Sequence, residues 1–422
     1  MTYYIFSLGC KVNSYESAAV ASALNAHGYF FDEVNPDVVI INTCSVTHVA
    51  DQKSRQHIRK FRNKYPKAIL VVMGCFVQSN YEYIKKELDI EIVLSTNKRS
   101  QIIELIDEFI ESKTKIDVAE TNTRLFNKYE ELGVTSYTEN VRAYLKVQDG
   151  CDNFCSYCLV PFTRGKSRSR DFEMVLKEAE NLVNKGYKEI VISGIHVGGY
   201  GKDNGHTFSE LVEALSDIKD LYSLRISSIE LSEIDDKLIN LIKTRDNIAK
   251  HLHIPLQAGS NDVLKNMGRK YTREEFISRI KEIKAILPDI ALTSDVIVGF
   301  PQESEDNFMD TYRLIEEVGF YELHVFPYSQ RKGTKADKMI GQVAPNIKKE
   351  RVSRLIELSK KLKHSYEKRF YGKSLPVLYE QYLDGYNVGH TSNYLEIRVK
   401  SDKNKVGLIE NIVIESSNIA EI

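Results

Sequence analysis

Nowhere in this 422-residue chain is there a run of roughly 20 apolar residues, the length a helix needs to cross a bilayer. The opening segment, MTYYIFSLGC, has no basic stretch leading into an apolar one, so no secretory signal is expected. Internal repeats and low-complexity tracts are missing as well. Neither sign of charge is in excess: 58 Lys and Arg stand against 59 Asp and Glu. Without a global basic field, a nucleic acid would have to be held by local patches. These absences point to a cytoplasmic protein. There thiols stay reduced, so the six cysteines are expected to serve metals or catalysis rather than three disulfides. The remaining composition, 42% hydrophobic and 28% charged, is that of a folded globular chain.

At roughly 100–200 residues per domain the length suggests two to four domains. Residues 1–117 alternate strand and helix patterns. Strands are predicted at Tyr3–Leu8, Val38–Ile41, Ile69–Met73 and Ile92–Leu94. Asn13 with Glu16 reads as a capping box opening a helix that Gly28 ends. Such alternation predicts a parallel sheet with helices on both faces. A polar linker follows over 118–140. From 141 to 370 six further strands are predicted, at Tyr144–Val147, Glu189–Ser193, Ser223–Ile226, His251–Ile254, Leu292–Val298 and Tyr321–Phe326. Thr207 with Glu210 and Thr272 with Glu275 read as capping boxes, and Phe276, Ile280, Ile283 and Leu287 form a core-facing helical stripe. Six units suit an open (β/α)6 barrel, because a full eight-unit barrel needs about 250 residues. A charged helix is expected over 346–370. Residues 371–422 change to short strands, Leu375–Tyr379, Leu395–Val399 and Val406–Ile414, between Gly, Asn and Asp turns, which reads as a small all-β barrel.

The cysteines fall into two sets. Cys151, Cys155 and Cys158 have the spacing C-x3-C-x2-C, in the loop after the first barrel strand. Soft thiolates select iron–sulfur clusters, zinc or Cu(I). Structural zinc and ordinary 4Fe-4S clusters need four ligands, and no fourth Cys or His follows closely. Three thiolates on a four-iron cluster leave one iron free to chelate S-adenosylmethionine and pass it an electron. A zinc knuckle completed by a distant ligand is the alternative. Cys10, Cys44 and Cys75 are far apart, yet each directly follows a predicted strand. Consecutive strand ends of a parallel sheet share an edge, so three thiols can converge there. The bland alternative is three buried cysteines acting as small hydrophobes.

The run GCDNFCSYCLVPFTRGKSRSR resembles the methylthiotransferases of the radical S-adenosylmethionine superfamily. Further similar stretches are SGIHVGGYG (193–201), SSIE (227–230), HIPLQAGSNDVLKNMGRKYT (253–272), DVIVGFPQE (295–303) and FPYSQRKGTKA (326–336). The resemblance covers nearly the whole chain. It implies two 4Fe-4S clusters, one on Cys151, Cys155 and Cys158 and a second, sulfur-supplying one on Cys10, Cys44 and Cys75. It also implies a central radical S-adenosylmethionine barrel and a TRAM-like RNA-binding β-barrel at 371–422. Cofactor contacts are then expected from Tyr157, from the glycines Gly194, Gly198 and Gly199, from Ser228, Glu230, Gln257 and Ser260, and from Ile297, Val298 and Gly299 as a wall for adenine. Ordinary turns and barrel core are the alternatives for the glycines and for Ile297 and Val298. RNA contacts are expected from Arg164, Lys166, Arg168 and Arg170, and from Arg269, Lys270 and Arg273. Lys53, Arg55, Arg59 and Arg62 read better as a solvated helix face.

Within the family, GCKVN (9–13) and DGCDNFCSYC most resemble the threonylcarbamoyladenosine branch. That implies methylthiolation of carbon 2 of the adenosine at tRNA position 37, beside the anticodon. Two S-adenosylmethionine molecules would be used, one methylating sulfur and one giving the radical that activates the inert aromatic C–H. An electron donor such as flavodoxin or ferredoxin is implied; the sulfur donor stays open, and no membrane partner is expected. The isopentenyladenosine branch and the branch modifying a ribosomal-protein aspartate remain alternatives. So does a non-catalytic iron–sulfur or zinc protein that binds RNA or senses redox state.

Overall fold

The computed structural model describes residues 1–137 and 141–420. The last three positions of the expected linker and the last two of the C-terminal segment lie outside the described residues. Six parallel strands make the first sheet: β1 (Thr2–Ser7), β2 (Phe30–Phe31), β3 (Val38–Thr43), β4 (Ile69–Gly74), β5 (Ile92–Leu94) and β6 (Ile116–Val118). Their order is β2-β1-β3-β4-β5-β6. β3 and β4 are continuous apolar runs because both of their faces are covered. Val38, Ile40, Val71 and Met73 pack into one core, and Val39, Ile41, Leu70 and Val72 into another. The short edge strands β2 and β6 carry too few residues to show a period, and the sequence reading missed both.

The expected capping box at Asn13 and Glu16 does not form. Helix α1 (Lys11–Ala26) starts earlier, with Cys10 at its N-cap and no side-chain cap. Asn13 and Glu16 are buried instead, on the face that packs against the next layer. The boxes at Thr207 and Thr272 form as expected. Gly28, with φ +80°, lies just past the end of α1.

The second layer is an open barrel of six parallel strands: β7 (Arg142–Asp149), β9 (Glu189–Gly194), β10 (Ser223–Ile226), β11 (His251–His253), β12 (Ala291–Val298) and β13 (Glu322–Pro327). A two-residue strand, β8 (Arg168–Ser169), pairs antiparallel with the end of β7. Bridges at Leu224–Ile248 and Ser228–His253 join the two halves. The stripe Phe276, Ile280, Ile283 and Leu287 is buried in the core beneath the helices.

Four antiparallel strands close the chain in a curled sheet: β14 (Ser374–Leu383), β15 (Tyr386–Thr391), β16 (Glu396–Lys400) and β17 (Ile409–Val413), ordered β16-β15-β14-β17. β15 escaped the sequence reading because Gly389 breaks its pattern. A Cβ there would collide with the Leu378 carbonyl across the ladder. This sheet covers the amino-terminal ends of the barrel strands. Ala291 and Tyr321 enter its core beside Val377, Tyr379 and Ile397. Tyr394 stacks on His251 at 4.2 Å, Arg225 lies 4.9 Å over the same ring, and Arg142 pairs with Glu380 at 2.7 Å.

Tyr394 therefore holds the curled sheet on the barrel. Tyr394→Ala is expected to release it: limited proteolysis should cut near residues 370–374 at protease levels that leave the wild type intact.

Candidate metal centres and the cavity between them

The register of the first sheet brings the dispersed cysteines together. Ser7 lies beside Asn42 and Asn42 beside Met73, so the chain segments carrying Cys10, Cys44 and Cys75 leave adjacent strands at one edge. Gly74 adopts φ +101°, and a Cβ there would strike the Thr43 carbonyl. Gly9, with φ +112°, lets the chain pass within 3.0 Å of Cys44 Sγ, measured from where a Cβ would stand. Asn13 Nδ2 donates to the carbonyls of Leu8 and Thr43 at 2.6 and 3.1 Å, tying the Cys10 and Cys44 loops together.

Cys151, Cys155 and Cys158 curl over the carboxyl end of β7. Asn153 N–H and Val160 N–H point at the sulfurs of Cys151 and Cys158 from 3.5 and 3.4 Å. Ser156 anchors the loop, donating from N and Oγ to the carbonyls of Met267 and Asn266. Burial pushes the thiols of Cys44 and Cys151 up to about 11 and that of Cys158 up to about 12.

One arginine addresses each thiol set. Arg164 Nε lies 3.3 Å from Cys75 Sγ, and Arg269 Nη1 lies 3.6 Å from Cys155 Sγ. Both were expected to face RNA, and the structure corrects this. Arg164 is 1% exposed and joins a buried network linking the two layers. Within it Glu16 contacts Arg164 at 2.5 Å, Lys146 at 2.9 Å and Arg99 at 3.0 Å. Asp149 contacts Lys146 at 2.7 Å and Arg164 at 3.4 Å. Burial would raise the Glu16 carboxyl, but Arg164, Arg99 and Lys146 outweigh it and hold it well below its ordinary 4.5. Arg168 and Arg170 are buried too. Arg168 donates to the carbonyls of Phe126, Arg164 and Lys166, and Arg170 pairs with Glu131 and Glu178. Arg269 pairs with Glu230 and lies over the Tyr271 ring. Of the six principal RNA candidates, only Lys166 and Lys270 are exposed.

A cavity of about 250 Å³ separates the two thiol sets and is lined by a cysteine from each, Cys75 and Cys158. Of the expected cofactor contacts, Tyr157, Gln257 and Ile297 border it. Other expected cofactor contacts do not. Val298 alternates away from Ile297 into the barrel core. Gly299 abuts the Lys348 side chain, and Ser260 Oγ accepts a bond from Asn307. Gly194 packs against Gln148, Glu230 lines a second cavity on the far side of Cys155, and Ser228 is exposed. The sequence reading missed Asp295, Phe326 and Arg331 on the main cavity wall. Arg331 bonds Ser45 and Asp51, tying the segment after β13 to the Cys44 loop. All three lie within or beside the quoted DVIVGFPQE and FPYSQRKGTKA stretches.

Three soft sulfurs at each place, with no seventh cysteine in the chain, fit two four-iron clusters each keeping a position free of protein sulfur. A six-strand open barrel with such a loop defines a radical S-adenosylmethionine enzyme, and residues 145–315 match the model described as "Radical SAM superfamily". Residues 2–95 match "Uncharacterized protein family UPF0004". The chain is 43% identical to the threonylcarbamoyladenosine tRNA methylthiotransferase MtaB of Bacillus subtilis (strain 168), over 98% of this chain and 93% of that protein. It is 36% identical to MtaB of Thermotoga maritima over 98% and 94%. A tRNA-2-methylthio-N(6)-dimethylallyladenosine synthase of Acetivibrio thermocellus is 35% identical over 98% and 88%. The radical S-adenosylmethionine methyltransferase TsrM from Kitasatospora setae shares the fold, with a TM-score of 0.59 at 15% identity over 77% of this chain and 74% of that one. This chain belongs to the family of threonylcarbamoyladenosine tRNA methylthiotransferases. Its cofactors are S-adenosylmethionine and 4Fe-4S clusters. Among the described residues no helix is long and apolar enough to cross a membrane.

Removing Arg164 takes one cation from each of two buried carboxylates, Glu16 and Asp149, which both keep Lys146. Arg164→Met is expected to destabilise the protein in denaturant unfolding, by less than the roughly 3–5 kcal/mol of a fully unpaired buried charge. The pH dependence has a definite sign. A carboxyl whose folded value is depressed stabilises fully above its unfolded value and loses that contribution as pH falls. Stability measured from about pH 5 downward should fall less steeply in Glu16→Gln than in the wild type.

Proposed function

We propose that the protein converts N6-threonylcarbamoyladenosine at position 37 of tRNA to its 2-methylthio derivative. The observation that carries this reading is a cavity lined from both thiol sets. A base inserted there lies between a radical-generating centre and a sulfur-supplying one. In this reading Cys151, Cys155 and Cys158 hold one cluster and Cys10, Cys44 and Cys75 the other. When bound, the first supplies the electron for reductive cleavage of S-adenosylmethionine, chemistry that belongs to the cofactor.

The chain's own residues bind, orient and exclude water. Tyr157 and Phe326 offer aromatic faces, and Ile297 an aliphatic one, to a base drawn out of its stack. Arg331 and Asp51 fix the Cys44 loop against the barrel at the cavity wall. Arg164 donates to the Cys75 sulfur from a network that cannot relax. Hydrogen bonds to cluster sulfurs tune reduction potential, so Arg164→Lys is expected to lower the potential of the cluster on Cys75. A reductive titration followed by electron paramagnetic resonance checks this, and an unchanged potential refutes it.

Nucleoside mass spectrometry of tRNA from cells with and without the gene tests the function. Loss of 2-methylthio-N6-threonylcarbamoyladenosine alone is expected. Loss of the isopentenyl counterpart, or unchanged tRNA, would refute the assignment.

A further inference from the structure

The thiols are not the only metal-binding side chains that converge in this chain. His253 on β11, Asp295 on β12 and His324 on β13 come from three adjacent strands of the barrel. The register of those strands sets them side by side. Asp295 is the Cα partner of His324, and His253 is the partner of Thr293, which lies two residues before Asp295 on the same face of β12. One ring nitrogen of each histidine and a carboxylate oxygen of Asp295 all lie within 4.8 Å of one another. Among the described residues no other trio of His, Cys, Asp and Glu side chains meets that closely.

The separations fit a shared ion better than shared protons. Asp295 Oδ1 lies 3.2 Å from His324 Nδ1, and Oδ2 lies 3.4 Å from His253 Nε2. A charge-assisted N–H···O bond is shorter, about 2.7–2.9 Å. Zinc holds nitrogen and oxygen ligands at about 2.0–2.1 Å, so neighbouring ligand atoms of a tetrahedral site stand about 3.3–3.4 Å apart. The two rings flank the carboxylate, 5.4 Å apart and 24° from parallel.

The surroundings suit a ligand set as well. A metal-bound histidine engages its other ring nitrogen in a hydrogen bond that fixes the ring. His253 Nδ1 lies 2.9 Å from the Thr293 hydroxyl, which lies 2.9 Å from His251 Nε2. A hydroxyl can accept from one ring and donate to the other, which leaves the Nε2 lone pair of His253 for an ion. Among the described residues Asp295 pairs with no Lys or Arg, only with these two rings. The His324 side chain is 53% exposed and Asp295 borders the main cavity, so an ion has a way in. All three ligands stand on strands rather than loops, which holds such a set to its geometry.

We propose that His253, Asp295 and His324 bind a divalent transition ion, zinc by ligand type, separate from both iron–sulfur clusters. Imidazole nitrogens select zinc and its neighbours over magnesium and calcium. Three protein ligands with a fourth position left to water are the composition of a reactive zinc site rather than a structural one. Beside the cavity that fourth position takes water or an oxygen donor of the molecule bound there. The site does not depend on which adenosine the enzyme modifies.

The test uses the full chain with both clusters loaded, kept anaerobic and dialysed against a chelator. Zinc chloride is then titrated in, with zinc and iron counted by plasma mass spectrometry after gel filtration. The wild type is expected to keep one zinc per chain at micromolar free ion, with its iron count unchanged and its melting temperature raised, since an ion that binds only the folded state stabilises it. His324→Ala and Asp295→Asn, each with wild-type iron content and melting temperature before zinc is added, should bind it at least about tenfold more weakly. X-ray absorption at the zinc edge of the wild type needs no variant. It should show nitrogen and oxygen at about 2.0–2.1 Å and no sulfur at about 2.3 Å. A wild type that retains no zinc, variants that bind it as tightly, or a sulfur shell from captured thiols would each overturn the site.

Discussion

The two thiol sets face one another because a closed ionic network pins the first sheet to the barrel. Glu16 and Asp149 lie where water cannot solvate them, and each meets more than one cation within hydrogen-bonding distance. Ionic groups taken out of water are stable only when such partners are in place. The network therefore tolerates one docking of the layers and penalises any slip. Glu16 comes from α1, whose N-cap is Cys10. Asp149 stands two residues before Cys151. One set of ion pairs thus sets the separation of the two metal centres, and with it the width of the cavity.

Much of this was legible in the sequence, for identifiable reasons. Most strands of both layers declared themselves because each is a short apolar run that ends at a turn or a helix cap; β2, β6 and β8, of two or three residues, were too short to do so. Cys10, Cys44 and Cys75 could be paired with strand ends, and a parallel sheet does the rest. What stayed hidden was partnership. Arg164, Arg168 and Arg170 look like a basic patch in the chain, because Glu16 and Glu131, which pair with Arg164 and Arg170, lie 148 and 39 residues away, and Arg168 is spent on backbone carbonyls. Asn13 and Glu16 have the residue types and spacing of a helix cap, and nothing nearby shows that both turn inward. Val298 and Gly299 were grouped with Ile297 as one motif, although strand alternation alone separates Ile297 from Val298. Asp295 was quoted within a motif but could not be weighed, since the histidines beside it, His253 and His324, come from two other strands.

The barrel divides its duties by end. At the carboxyl ends of the strands, loops carry the sulfurs and the cavity. Toward the amino ends, Arg142, Glu189, Arg225 and His251 form a charged interior that the curled sheet seals with Tyr394. The buried ring of His251 connects the two regions. It stacks on Tyr394 of the sheet on one side and, on the other, shares the Thr293 hydroxyl with His253, 2.9 Å from each ring.

The position of the curled sheet also sets a distance. β7 runs eight residues from the end the sheet covers to the cysteine loop, which at about 3.3 Å per residue is roughly 26 Å. Any polynucleotide gripped by that sheet while a base occupies the cavity must stretch along the flank of the barrel. The grip would then act on a part of the molecule well removed from the reacting nucleotide, like a hand on the shaft of a key.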